Sequence, residues 1–104
     1  MFEFIELAPF ARAREAYGMG DAEFAQLQAA LLADPDAGDV IPASAGCRKL
    51  RWRTPGRGKR GGYRVIYFLR NAQGQIVLVL LYAKNVRENV EPGLLRELKE
   101  KFRP

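Results

Sequence analysis

Residues 63–84 read "YRVIYFLRNAQGQIVLVLLYAK", and this stretch decides the fold. Tyr63 to Arg70 is rich in β-branched and aromatic side chains, which suit a pleated strand. "NAQGQ", residues 71–75, carries turn chemistry. From Ile76 onward the apolar side chains occupy both alternating faces, so the second strand is predicted to be central and covered. Two such strands across a short turn make an antiparallel hairpin.

Upstream, "CRKLRWR" at 47–53 alternates. Leu50 and Trp52 are predicted on one face, Lys49, Arg51 and Arg53 on the other. "TPGRGKRGG" is a Gly-rich basic loop leading into the 63–70 strand, and the connection brings Arg64 near the basic row. Near the N-terminus "FEFI" reads as a short strand with Phe2 and Phe4 on one face. "PFARAREAYG" fits a helix with Pro9 in its first turn, a Phe10, Ala13, Tyr17 stripe and Gly18 at its end. "GDAEFAQLQAALLADP" fits another, with Asp21 as N-cap, Phe24, Leu27 and Leu31 as the buried stripe, and Pro35 after its end. "DAGDVIPASAG" is a turn-rich linker. "EPGLLRELKEKF" is a last helix with Pro92 near its first position and Leu95, Leu98 and Phe102 as its stripe. The order β-α-α-β-β-β-α predicts an α+β fold with a mostly antiparallel sheet. Helices are expected on one face, with the other at least partly open. A chain of 104 residues, 48% apolar, is expected to form a single domain over 1–104.

Composition narrows the chemistry. There is no histidine and one cysteine, Cys47. Cys-based metal cages, intramolecular disulfides and Ser-His or Cys-His hydrolysis are therefore excluded. No metal or cofactor is expected. The N-terminus lacks the pattern of a signal peptide, and the longest apolar run, 76–83, is too short to span a bilayer. The expected location is the cytoplasm.

Net charge is +5, unevenly placed. Residues 1–39 carry eight acids and two bases, 40–87 carry eleven bases and no acid, and 88–104 carry four of each. A one-signed segment of this length attracts polyanions, of which nucleic acid is the commonest. Lys49, Arg51, Arg64 and Lys84 are expected to converge on the open sheet face. The bland alternative is a solvated basic face. Trp52 reads as core rather than as a stacking platform. Tyr63, Tyr67 and Tyr82 read as packing residues, although one facing the cleft could stack on a base. "GRGKRGG" lacks the spacing and following helix of a triphosphate loop. Arg57, Lys59 and Arg60 are read instead as contacts to a phosphate backbone, with a solvated hairpin tip as the alternative.

The motifs "RKLR", "GKRGGYRVIY" and "YAKN-x-x-E", in this order, resemble the HigB branch of the RelE/HigB toxin superfamily. The upstream linker fits that branch's "NP-x-x-GD-x-I" pattern with Asp34 in place of Asn. The resemblance covers nearly the whole chain. It implies a compact microbial-RNase-like fold and a type II toxin–antitoxin toxin. Such a toxin is a metal-independent mRNA endonuclease that cuts translated mRNA on the 70S ribosome through attack by the RNA's own 2′-OH. A cognate antitoxin is implied, in this branch a HigA-like helix-turn-helix protein, with operator DNA reached only through it and no membrane partner.

By that resemblance Arg64 binds the scissile phosphate. Lys49 and Arg51 contact the mRNA backbone, and Lys49 takes part in proton transfer. Lys84 assists phosphate stabilisation or protonates the leaving 5′-oxygen. Arg53, Arg57, Lys59 and Arg60 are expected to bind RNA. Asn85 stands where the RelE pattern has an arginine, and Glu91 near its tyrosine, so the general acid and base stay open. Glu88 is an acidic candidate at the edge of the site, with a surface role as the stronger reading. Two other functions compete: a non-catalytic RNA- or ribosome-binding module, and a gyrase-directed toxin of the same superfamily.

Overall fold

The computed structural model describes residues 2–53, 62–84, 86 and 90–102. Its centre is the hairpin expected from 63–84: β4 (Tyr63–Arg70) and β5 (Gln75–Ala83), joined by a short 3-10 turn over Asn71–Gln73. Gly74 closes that turn at φ +64°, the left-handed region that glycine adopts without a Cβ penalty. Before the hairpin come β1 (Glu3–Glu6), α1 (Ala8–Ala16), α2 (Asp21–Ala33), β2 (Asp39–Val40) and β3 (Arg48–Trp52). After it comes α3 (Pro92–Lys101). The sheet order is β1-β5-β4-β3-β2. β1 runs parallel to β5, and every other pairing is antiparallel.

This is the expected α+β order, with one addition. The linker contains a two-residue strand, β2, where Asp39 pairs with Lys49 and Val40 with Arg48. The Ile41 N–H continues the ladder onto the Cys47 carbonyl at 2.8 Å. Buried Ser44 closes the connection, its hydroxyl donating to the Ile41 carbonyl and accepting the Cys47 N–H. One local expectation is corrected: Gly20, not Asp21, is the N-cap of α2. Asp21 is instead its first helical residue, where a carboxylate complements the helix dipole.

The placement of the helices also differs from expectation. α1 and α2 lie on one face, where Phe10, Leu27 and Leu31 pack with Trp52, Val65, Tyr67 and Leu78. α3 lies on the other, with Leu95, Leu98 and Phe102 packed with Ile66, Phe68 and Val77. Alternation along β4 explains this. Val65 and Tyr67 point one way, Ile66 and Phe68 the other, and all four are buried, so each face needs a cover. The ladder shifts between Ile66 and Tyr67, whose partners are Leu80 and Leu78. Val79 is thus the extra residue of a bulge, which keeps apolar side chains on both faces of β5.

The linker before β2 is anchored by Tyr67, which is fully buried. Its hydroxyl donates to the Pro35 carbonyl at 2.7 Å and accepts the Gly38 N–H at 2.9 Å. A Cβ at Gly38 would stand 2.9 Å from the Tyr67 ring and 3.1 Å from the Lys49 carbonyl, so only glycine fits. Arg48 adds bonds to the Gly38 and Asp36 carbonyls and an ion pair to the Asp36 carboxylate.

Tyr67→Phe leaves the Gly38 N–H and the Pro35 carbonyl without their buried partner. The expected cost is about 1–3 kcal/mol of stability, read from urea denaturation. Burial pushes the Tyr67 hydroxyl above its ordinary value of 10.0, while the Gly38 bond and the Arg48 charge pull the other way. A raised folded-state value favours the neutral phenol. Its contribution is therefore complete below the ordinary value and lost as pH rises through the folded one. The stability gap between the native chain and Tyr67→Phe should narrow on entering that alkaline range.

Candidate active site

The basic residues of β3 and β4 meet across one ladder. Arg51 is directly opposite Arg64, and Arg64 is directly opposite Tyr82 on β5. Directly paired residues share a sheet face. Arg51, Arg64 and Tyr82 thus form a row across three strands, on the face that carries α3. The neighbouring row runs Asp39, Lys49, Ile66 and Leu80. The next runs into Cys47 and Phe68, beneath α3.

Arg64 is only 9% exposed. Its guanidinium Nη1 donates to the Tyr63 carbonyl at 3.3 Å. Arg51 is exposed, so the row has one sunken and one accessible guanidinium. Like charges directly opposite one another disfavour a strand pair. An anion bridging two guanidinium forks reverses that sign, because each fork matches two phosphate oxygens.

A cleft of about 250 Å³ opens beside the row, lined by Asp39, Val40, Ile41, Pro42, Lys49 and Arg51. Another groove, of about 260 Å³, runs between α1 and β5, lined by residues including Ala13, Tyr17, Leu80 and Val86. Among the described residues no charged side chain lines it.

Lys84 is exposed just past the end of β5, and its N–H bonds to the Gly62 carbonyl at 3.3 Å. That bond holds it at the Arg64 end of the sheet. Arg53 is exposed after the end of β3. Gly62, at φ +53°, is hemmed in there: a Cβ would come within 2.3 Å of the Trp52 carbonyl oxygen. Trp52 is core, packed among the α1 and α2 residues. Tyr63 and Tyr67 lie on that helix-covered face, and Tyr82 is the tyrosine beside Arg64. Arg57, Lys59, Arg60, Asn85 and Glu88 lie outside the described residues. Cys47 is fully buried, and burial pushes its thiol up against the opposing pull of Lys99 and Ser44, so it is no nucleophile. Among the described residues no group of three or more His, Cys, Asp or Glu side chains could hold a metal, and no helix could cross a membrane.

Sequence reading missed Asp39 and the cleft wall. A signal for them exists. Asp39 and Lys49 are each five residues from Ser44, as are hairpin partners about a turn centre.

Fold and row together define a class: a small α+β protein with part of one sheet face lined by opposed arginines. The family described as RelE toxin of the RelE/RelB toxin–antitoxin system matches residues 9–102, and the chain belongs to that family. It is thereby a toxin of a toxin–antitoxin system, with a cognate antitoxin as its implied partner. Toxins of this family are in general endoribonucleases.

Arg51→Thr removes one of two opposed like charges and adds a good strand former. It should raise stability by about 0.2–1 kcal/mol in urea denaturation. The same change should weaken binding to a single-stranded RNA oligonucleotide and lower the slope of affinity against salt.

Proposed function

We propose that this chain, as one toxin domain over 1–104, is a ribosome-dependent mRNA endonuclease of the HigB type. The observation that carries the reading is the cross-strand pair Arg51–Arg64 on the sheet face, with Lys49 one row away. RNA brings its own nucleophile, so the protein needs only to align the 2′-OH with phosphorus and stabilise the charge that builds there. Arg64 binds the scissile phosphate and Arg51 the adjoining backbone. Attack forms the 2′,3′-cyclic phosphate and breaks the bond to the 5′-oxygen. The 2′-OH proton leaves to a base, for which Lys49 is the candidate. The leaving 5′-oxygen takes a proton from Lys84. Arg53, Arg57, Lys59 and Arg60 extend the contact to mRNA. The absence of histidine from the sequence fits this division of labour, since arginine and lysine remain as its cationic groups.

The partners under this reading are mRNA in the 70S ribosome and a HigA-like helix-turn-helix antitoxin, which alone reaches operator DNA. The cytoplasm is the place of action.

The experiment is transcriptome-wide mapping of RNA 5′ ends after brief induction without antitoxin, beside an Arg64→Ala control. New ends inside translated frames, at a fixed position relative to the codon, are expected from the native chain. Arg64→Ala should reduce them by on the order of 100-fold or more. Growth arrest with an unchanged map overturns the nuclease reading. It would leave a non-catalytic RNA-binding module or, if DNA damage signalling appears, a gyrase-directed toxin.

A further inference from the structure

We propose that the cleft bounded by Asp39, Ile41, Pro42, Lys49 and Arg51 is a nucleobase subsite that reads guanine, with Asp39 as the specificity-determining residue. The proposal deepens the RNA-cutting reading and rests on it for the source of the ligand.

Three observations carry it. The first is position. Asp39 is directly opposite Lys49, in the row next to Arg51–Arg64, so the cleft adjoins the place proposed for the scissile phosphate. A base attached to a neighbouring nucleotide falls within reach. The second is chemistry. Ile41 and Pro42 offer an apolar wall for a flat ring, and Asp39 offers two carboxylate oxygens that only accept. The ion pairs of the described residues engage Glu6, Asp21, Asp36 and Glu97, but not Asp39. Guanine presents adjacent N1–H and N2–H₂ donors on its Watson–Crick edge, followed by the O6 acceptor. A carboxylate takes both donors at once, and the cations of the cleft supply the donor that O6 needs. Adenine and cytosine each present one exocyclic amine beside a ring acceptor, which a carboxylate repels.

The third is rigidity. Asp39 follows directly on Gly38, whose N–H and carbonyl are held by buried Tyr67 and by Arg48. After it, Ile41 is bonded to Cys47 and closed by Ser44. A base-reading group must be fixed before its ligand arrives if it is to discriminate. Those bonds explain why a segment with the composition of a loop is built as a strand.

The test titrates the purified full chain, and its Asp39→Asn variant, with short 2′-O-methyl oligouridylates, which cannot be cut. One carries a single guanosine, one a single adenosine and one a single cytidine. The native chain should bind the guanosine oligomer on the order of tenfold more tightly than the others. An asparagine amide presents one acceptor beside one donor, which matches adenine and cytosine alike. Asp39→Asn should therefore lose the guanosine preference and gain affinity for the adenosine and cytidine oligomers. Equal affinity for the three oligomers, or no binding of any, overturns the proposal. So does an Asp39→Asn variant that changes affinity for all three alike, the behaviour of a residue acting only through Lys49. Because no cleavage is read, this outcome is separate from that of end mapping. A guanosine preference without new RNA ends would keep the subsite and reject the nuclease. New ends without base preference would do the reverse.

Discussion

The structure depends on one constraint: the β4–β5 hairpin is apolar on both faces and must be covered twice. α1 and α2 cover one face along with Trp52 and Leu50. The other face has α3, of ten residues, whose Lys99 and whose C-cap Phe102 contact the Phe68 ring of β4. Ten helical residues span about 15 Å, whereas nine strand residues, as in β5, span about 30 Å. α3 is too short to cover that face from end to end. The end of β4 that carries Arg64 is where polarity returns to the ladder. Site and core are thus parts of one strand, divided by the length of a helix.

That division explains how much of the molecule was legible in its sequence. Strand period and the apolar run at 76–83 gave the hairpin, and alternation in "RKLRW" gave the faces of Lys49, Arg51 and Trp52. These are local patterns that a side-chain period of two makes readable. The face chosen by α3 was not local. Its stripe of Leu95, Leu98 and Phe102 fits either face, and the double burial of Ile66 and Phe68 decides which. β2 escaped notice because two residues carry no period. Its pairing depends on Tyr67 and Arg48, which lie 29 and 10 residues from Gly38 in sequence. The Arg51–Arg64 opposition was expected only as nearness. The direct register is set across a connection of Gly-rich sequence, whose composition does not specify which residues pair.

Arginine in this row has a cost in the free fold and, on the reading proposed above, a use in the bound one. Opposed guanidinium groups repel, and burying one of them removes hydration. Both penalties shrink when an anion enters, because the interaction then changes sign in a partly desolvated setting. A face of this kind is poorly suited to mere solubility, for which lysines spread over exposed positions suffice. The sunken Arg64 beside the accessible Arg51 also gives the row a direction. On the reading proposed above, a phosphate meets the exposed Arg51 before the buried Arg64.

The charge pattern in sequence and the charge pattern in space are different things, and the difference bears on selectivity. The 48 residues without an acid suggest a uniform positive field. Folding brings acids from the first third of the chain back to it: Asp36 pairs with Arg48, and Asp39 stands opposite Lys49. Strand parity then sorts the cations. Arg48 points with Leu50 and Trp52 and is spent on the linker, while Lys49 and Arg51 point into the cleft. A uniformly basic cleft would hold any phosphate backbone with little regard to sequence, since backbone contacts position but do not specify. One carboxylate set among those cations weakens that general attraction. It also adds the one kind of group that a base edge can satisfy and a phosphate cannot. The linker that delivers Asp39 is therefore where a protein of this charge could gain discrimination, and the buried Tyr67 hydroxyl is what holds that linker in place.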